Sequence, residues 1–479
     1  MRRKFVNNLF FIILINLLVK PFWILGIDVG VQNRVGAEEY GFYYALFGFS
    51  VLLNIVLDFG ITNYNNRNIA QHEQMLQRYF SGIFNVKFIL GFIYMTATLL
   101  LSLIFGYSGK AIYFLFILGI NQFLASMILY LRSNISGLHY FKLDGLLSVM
   151  DRLLMIIICS ILLWGNLFDG HFEIEWFVYA QFWAYFITAL FAFLMVFKEA
   201  KHFKFKIDLP LFLIILKQSM PFALLVLLMA FYYRLDSVMI DLLHPNGKLE
   251  VGIYAQAYRI LEGFNMFGFL FAGLLLPIFS RMIQNKESVS KLVNTAFNLI
   301  FIPAIAVVTI AVLYPQKIMD FLYLEHVNAS AEVFKILMLS FMAIALTYIY
   351  GTLLTANGSL KQLNFISLLG LVVNLALNFW LIPKQGAYGA AIATLVTQFF
   401  VVLAQIIMTK KLFKLSYSFA FIMKHGLLLV IGASLAYTSV DWFNNFFLHS
   451  IFIGGIFGIF SLILGLVRKE ELMSLLRNN

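Results

Sequence analysis

Residues 363–382 read LNFISLLGLVVNLALNFWLI, and after Pro383-Lys384-Gln385 residues 386–407 read GAYGAAIATLVTQFFVVLAQII. Neither run carries a charged side chain. At ~1.5 Å of rise per residue, about 20 helical residues cross the ~30 Å hydrocarbon layer of a bilayer. The runs are apolar along their length and do not alternate. They therefore read as membrane-spanning helices, because barrel strands alternate in and out over about 10 residues. Backbone groups must pair internally in lipid, which leaves helices and closed barrels as the available forms.

The same signature repeats outward from this pair. Fourteen spans are expected, at 9–28, 41–60, 82–105, 111–131, 148–165, 176–197, 219–242, 252–279, 292–314, 332–354, 363–382, 386–407, 421–440 and 446–467. The composition agrees. Of 479 residues 62% are hydrophobic and 12% charged, with a mean hydropathy of +0.89. A water-soluble domain is roughly 45–50% apolar and about 25% charged, so no soluble core could hide this excess. Cys159 is the single cysteine, which excludes a disulfide scaffold. No cleaved leader is expected, because Met1-Arg-Arg-Lys4 opens directly into a span that continues past Lys20-Pro21. The reading is an all-α polytopic membrane protein.

Loop charge orients it. On the side shared with the termini lie 24 Lys and Arg, counting Arg152 and Lys424 just inside their spans, and including Arg2, Arg3, Lys4, Arg132, Lys142, Lys410 and Lys411. The opposite side has five: Arg34, Lys110, Lys248, Lys317 and Lys384. One misplaced span would swap every later loop, so the asymmetry supports the count. Both termini are then expected in the cytoplasm. The net charge of +11 is accordingly topological and favours anionic lipid, with no nucleic acid as partner.

The organisation reads as an N-terminal lobe at 1–197 and a basic cytoplasmic linker at 198–218 holding Lys198, Lys201, Lys204 and Lys206. A C-terminal lobe follows at 219–407, then two further helices and a tail at 408–479. Each six-span lobe opens its second helix with Gly-x-Tyr, at Gly41-Phe-Tyr43 and Gly252-Ile-Tyr254. That match suggests an internal repeat of the kind transporters use.

Charges inside spans carry the functional signal, since each costs at least ~2.5–3.5 kcal/mol at the bilayer centre. Lys20 lies about 16 Å into the first span, just before Pro21, which can kink the helix. Arg234 lies about 10 Å from the outer face, and Arg259 lies at a similar depth. Arg259 and Glu262 are i, i+3 and can pair. Arg234 and Asp236 point apart, so each needs a partner on another helix. A wet chamber lined by Lys20, Arg234, Arg259, Asp236 and Glu262 would be cationic by one charge, which suits phosphate. The competing reading is interhelical ion pairs that only fix packing. Asp58, Lys87, Asp151, Arg152 and Lys335 lie near span ends, where snorkelling is the simpler expectation. Tyr43, Tyr254 and Tyr258 could offer rings and hydroxyls to sugars, although packing is the commoner use of such residues.

Motifs of other functions are missing. The sequence has no GxxxxGK[ST] phosphate loop, no HExxH and no GxSxG, and no loop is long enough to house a catalytic domain.

Several stretches resemble one family. Arg34-Val-Gly36-Ala-Glu-Glu-Tyr40-Gly41-Phe-Tyr43 is similar to the entry of the second helix in polysaccharide-export flippases of the multidrug/oligosaccharidyl-lipid/polysaccharide superfamily. Asp58-Phe59-Gly60 resembles the D-x-G that ends that helix. Arg234-Leu-Asp236, Val251-Gly252-Ile-Tyr254-Ala255 and Tyr258-Arg259 resemble the R-x-D and V-G-x-Y-x-x-A-x-R patterns. Asn374-Leu-Ala-Leu-Asn378-Phe-Trp-Leu-Ile382-Pro383 with Gly386-Ala-Tyr-Gly389-Ala390-Ala391-Ile-Ala-Thr394 looks like the N-x-x-L-N-x-x-L-I-P…G-x-x-G-A-A-x-A-T signature.

The resemblance implies a V-shaped, MATE-like transporter of two six-helix lobes plus two C-terminal helices in a bacterial inner membrane. It implies flipping of undecaprenyl-diphosphate-linked oligosaccharide for O-antigen, capsule or exopolysaccharide assembly by alternating access. It also implies no bound cofactor, coupling to H+ or Na+, and polysaccharide polymerase machinery as a downstream partner. Lys20, Arg234, Arg259, Tyr254 and Tyr258 would then meet substrate, while Asp236, Glu262 and Asp58 would serve coupling or ion pairing. One departure is the absence of an isolated carboxylate deep in the first lobe, which counts against a cation-drug site there. The alternatives are a multidrug antiporter of the same superfamily and a membrane polysaccharide polymerase, which would show a long outer loop.

Overall fold

A computed structural model describes residues 15–16, 18–72, 74–165, 172–200 and 209–466. The described chain is helical throughout and contains no strand. The terminal basic residues Arg2, Arg3, Lys4, Arg468 and Lys469, and the linker cations Lys201, Lys204 and Lys206, lie outside the described residues.

The elements run α1 (Val29–Val35), α2 (Ala37–Leu52), α3 (Ile61–Gln71), α4 (Met75–Ile104), α5 (Lys110–Gly137), α6 (Phe141–Trp164) and α7 (Ile174–Ala200). They continue with α8 (Leu209–Leu243), α9 (Gly247–Gln284), α10 (Ser290–Leu313), α11 (Pro315–Leu322) and α12 (Val327–Ala356). The chain ends in α13 (Leu360–Phe413), α14 (Phe419–Thr438) and α15 (Phe446–Ile463). A π-helical turn, Trp23–Asp28, precedes α1 and follows Pro21. Such turns are rare, and they arise where the helical ladder is interrupted.

Among the described residues ten helices are long and apolar enough to cross a membrane. There are eleven if Ala223–Phe231 and Tyr233–Leu243, bent by 40°, count as one broken span. The 54-residue α13 merges two helices across Gly386, whose φ of 51° and ψ of −127° lie outside the helical range. Glycine tolerates that conformation. The next turn is tight, because a Cβ added at Gly389 would meet the Leu381 carbonyl at 2.8 Å. The stretches 363–382 and 386–407 are therefore separate spans.

The 41–60 run is not one continuous helix. α2 ends at Leu52, a 3-10 turn covers Asn54–Leu57, and Phe59 and Gly60 take φ of 43° and 83° before α3 starts. The Asp58 carboxylate stabilises the break by accepting from the Gly60 and Thr62 amides and the Thr62 hydroxyl. A side chain that satisfies local backbone donors offers the chain an alternative to helix.

The chain forms two compact units, Met1–Gly252 and Ile253–Asn479. In the first, α5 packs on α7 and α3, and α8 packs on α2 and α3. One of its cores joins Phe80, Ile83, Tyr130, Leu131, Leu147 and Val196. In the second, α12 packs against α13 and α10, while α14 and α15 close on α10 through Ile302, Ile305, Leu428, Ile453 and Phe457. Outward-facing residues are apolar too: Phe92 is 75% exposed and Ile407 69%. Such a surface suits lipid and not water.

Candidate substrate site

Each unit carries its own set of intramembrane polar groups. In the first unit the Arg234 guanidinium donates to the Tyr44 hydroxyl at 3.1 Å and lies 5.4 Å from the centre of the Phe47 ring. The partner is thus on α2, another helix from the one that carries Arg234. Tyr44 stacks on Tyr40 with ring centres 6.1 Å apart, and the Tyr40 hydroxyl meets both Asp28 oxygens at 2.9 and 2.8 Å. An aromatic chain therefore runs from a cation to a buried carboxylate. Asp236, two residues from Arg234, is buried at 1% exposure.

Asp28, at 1% exposure, is a buried carboxylate of the first unit that the sequence analysis did not single out. Read from sequence it marked the end of a span. The π-helical turn rotates it inward toward Tyr40. Its proximity to Tyr40 in sequence was the available signal, but only the turn geometry pairs them. Gln32, also missed, donates to the Gly252 carbonyl at 3.1 Å.

Asp58 and Lys87 form an ion pair, and Lys87 Nζ also donates to the Leu57 carbonyl and the Ser126 hydroxyl, both at 3.0 Å. Lys87 is 1% exposed and does not snorkel. The helix break beside it supplies a free carbonyl and a carboxylate, which together retain the ammonium inside. Lys20 is half-buried on the helix that leads into the π-helical turn.

In the second unit Arg259 and Glu262 pair at 2.9 Å, with side chains only 11% and 19% exposed. Tyr254 and Tyr258, one turn apart, stack at 5.4 Å, and the Tyr254 hydroxyl lies 3.5 Å from Thr394 Oγ1. Both tyrosines are buried, at 1% and 4% exposure, so in this state their rings support the helix of Arg259 and are covered. Tyr43 is likewise buried and accepts from Gln181 at 2.7 Å. Asn374 and Asn378 pair within α13 at 3.1 Å and are buried.

The expected site residues therefore fall into two groups. Lys20, Asp58, Arg234 and Asp236 belong to the first unit, and Tyr254, Tyr258, Arg259 and Glu262 belong to the second. Beyond the spans, burial and then the Asp241 carboxylate push the Tyr107 phenol up, and that phenol donates to Asp241 at 2.9 Å.

Comparisons with known proteins place this arrangement. The sequence profile of a family described as polysaccharide biosynthesis protein matches residues 5–283. An uncharacterized membrane protein of Methanocaldococcus jannaschii is 24% identical over 383 residues, which is 76% of this chain and 88% of that one. The lipid II flippase MurJ in an inward closed conformation superposes with a TM-score of 0.68 at 16% identity, covering 93% of this chain and 97% of that one. An inward-facing multidrug resistance MATE transporter of the MOP superfamily gives 0.63 at 13% identity, over 82% and 94%. A MOP superfamily transporter from Pyrococcus furiosus gives 0.59 at 14% identity, over 85% and 95%. At these identities the three structures establish the fold.

Proposed function

This chain belongs to the polysaccharide biosynthesis protein family, and from that membership we propose that it flips an undecaprenyl-diphosphate-linked oligosaccharide to the outer leaflet of a bacterial inner membrane. The product would serve O-antigen, capsule or exopolysaccharide assembly, with polymerase machinery downstream and both termini in the cytoplasm. The observation that carries the reading is Arg234. A guanidinium is costly within the membrane, yet this one is propped by a phenol and a ring. A guanidinium is the side-chain group best matched to bidentate pairing with phosphate oxygens.

Lys20 adds positive charge in the same unit, and in the second unit Arg259 is held by Glu262. In this reading the diphosphate draws Arg259 from Glu262 during the cycle, and a proton or Na+ on Asp28, Asp236 or Glu262 resets it. Catalysis in the strict sense is absent, since translocation makes and breaks no covalent bond. Only a ligand that binds two conformations unequally can drive the exchange between them.

The test is surface polysaccharide in cells that depend on this protein. Arg234→Ala and Arg259→Ala should abolish it while membrane protein levels hold. Undiminished polysaccharide in both variants overturns the assignment. The rival reading, a cation-drug antiporter, draws support from Asp28, a buried carboxylate in the first unit. Drug resistance conferred by the wild type and lost in Asp28→Asn, with normal polysaccharide, would decide for it.

A further inference from the structure

Residues 315–331 read from sequence as a connection between two spans, yet they contain α11 (Pro315–Leu322). Its neighbours α10 and α12 are both long and apolar enough to cross a membrane, so α11 joins two span ends at one membrane face. Hydrogen bonds fix that level. The Tyr314 hydroxyl, where α10 ends, meets His449 Nδ1. His449 Nε2 lies 2.8 Å from the Ser439 hydroxyl, where α14 ends. The ends of α10 and α14 and the start of α15 therefore lie together. Trp442, whose amide donates to the Ser439 carbonyl, is exposed beside them. Tryptophan concentrates at the membrane–water interface, so it marks this level as that boundary.

The sides of α11 differ in kind. At about 100° of turn per residue, Met319 and Tyr323 point the same way, and both are buried. The Tyr323 hydroxyl donates to the Gln256 carbonyl at 3.1 Å, so this side faces protein. One flank holds Gln316, Asp320 and Lys317. Gln316 donates to the Asp320 carboxylate at 2.9 Å, and Lys317 and Asp320 are exposed. The opposite flank holds Ile318, Leu322 and Phe321, of which Phe321 is 66% exposed. The Phe321 ring meets that of Phe447 on α15, with centres 5.3 Å apart. Leu448 and Ile451 follow on α15, both exposed and part of the apolar surface that suits lipid. The apolar flank of α11 is thus continuous with the lipid-facing belt, and the polar flank turns away from it. A water-facing loop would leave the Phe321 flank hydrated, whereas the leaflet removes it from water.

We propose that α11 is an in-plane membrane anchor, with Ile318, Phe321 and Leu322 in the interfacial layer of the leaflet and Gln316, Asp320 and Lys317 in water. The partner is lipid at the boundary of headgroups and acyl chains, where amphipathic helices rest. Through Phe447 and the His449 bonds, the anchor holds the adjoining ends of α14 and α15 at that depth. In the topology read from loop charge this is the outer face. An anchor of this kind is independent of the substrate that the protein moves.

The experiment measures depth on the full chain, one copy per lipid nanodisc. Cys159 is the single cysteine and is buried, so Cys159→Ala gives a background for one spin label at Phe321→Cys or Asp320→Cys. Oxygen concentrates in lipid and a nickel chelate stays in water, so their collision rates with the label report its surroundings. The ratio of oxygen to nickel accessibility should be severalfold higher at 321 than at 320, and should approach that of a label at Ile451→Cys. Equal ratios at 321 and 320, with nickel reaching both, would put the flank in water and overturn the anchor. A label at 321 reached by neither collider would mean that protein covers the flank, which overturns it as well. Thermal melts check that the labelled chains fold. Ile318→Cys, on the same flank, carries the test with the same expected ratio if Phe321→Cys does not fold.

Discussion

Gly41 and Gly252 meet backbone to backbone where α2 and α9 begin. A Cβ added at Gly41 would lie 1.9 Å from the Lys248 carbonyl oxygen, and one added at Gly252 would lie 1.9 Å from that of Ala37. The two contacts are reciprocal, each joining a glycine to the carbonyl four residues before the other. The repeated Gly-x-Tyr element thus has a physical purpose, since small residues allow membrane helices to approach this closely.

Gly41→Ala and Gly252→Ala should each destabilise the protein by about 1–3 kcal/mol or more, because backbone atoms cannot yield as a flexible side chain can. The double variant should cost little beyond either single one, since both changes break one contact. Thermal unfolding of the purified variants measures this, and full additivity would show that the two glycines do not share the crossing.

Lys87→Met should be among the most damaging single changes in the first unit. It leaves the Asp58 carboxylate without its cation, a loss of about 3–5 kcal/mol for a buried pair. Lys87→Met combined with Asp58→Asn should recover a large part of that loss, since no charge remains to be paired. A double variant no more stable than Lys87→Met would show that the ammonium's bonds to Leu57 and Ser126 dominate instead.

Tyr44→Phe tests how Arg234 is held. The ring and its stack on Tyr40 survive while the hydroxyl bond is lost, so stability should change by only about 1 kcal/mol. Polysaccharide export should fall severalfold at normal protein level, because the guanidinium keeps its charge and loses its orientation. Export at the wild-type rate would remove Tyr44 from the site.

Tyr40→Phe removes a donor that serves both oxygens of a buried carboxylate, and should cost about 1–3 kcal/mol. Asp28→Asn should be milder, since the amide oxygen still accepts from Tyr40. Comparing their melting temperatures gives the order. Asp28→Asn should nevertheless abolish gradient-driven transport if that carboxylate carries the coupling ion, which a vesicle assay with an imposed H+ or Na+ gradient reads directly.

The last two helices should depend on Asn298. It donates to the Leu466 carbonyl at 2.6 Å and faces His425 Nε2 at 2.8 Å. Asn298→Ala should cost about 1–3 kcal/mol and speed protease cleavage in the loop between α13 and α14. Unchanged cleavage would mean that the apolar contacts around Leu428 and Phe457 hold the tail without it.

Much of the fold was legible in the chain because it depends on length and transfer free energy. An uncharged run of about 20 residues must be a helix in lipid whatever surrounds it. The Pro383 to Gly386 break was likewise readable, since both residues carry their backbone restrictions with them. The i, i+3 pair of Arg259 and Glu262 followed from helical spacing alone.

The rest needed three dimensions. Lys87 looked like a residue near a span end until the break at Phe59 and Gly60 placed a carbonyl and a carboxylate around its ammonium. Asp28 looked terminal until the π-helical turn after Pro21 brought it to Tyr40. Tyr254 and Tyr258 looked available to sugars until packing covered their rings. Sequence determined which segments enter the membrane and which ionisable groups go with them, because hydrophobicity and charge are local properties. Which partner each buried charge meets was decided by the tertiary structure, because that depends on where helices break, rotate and cross.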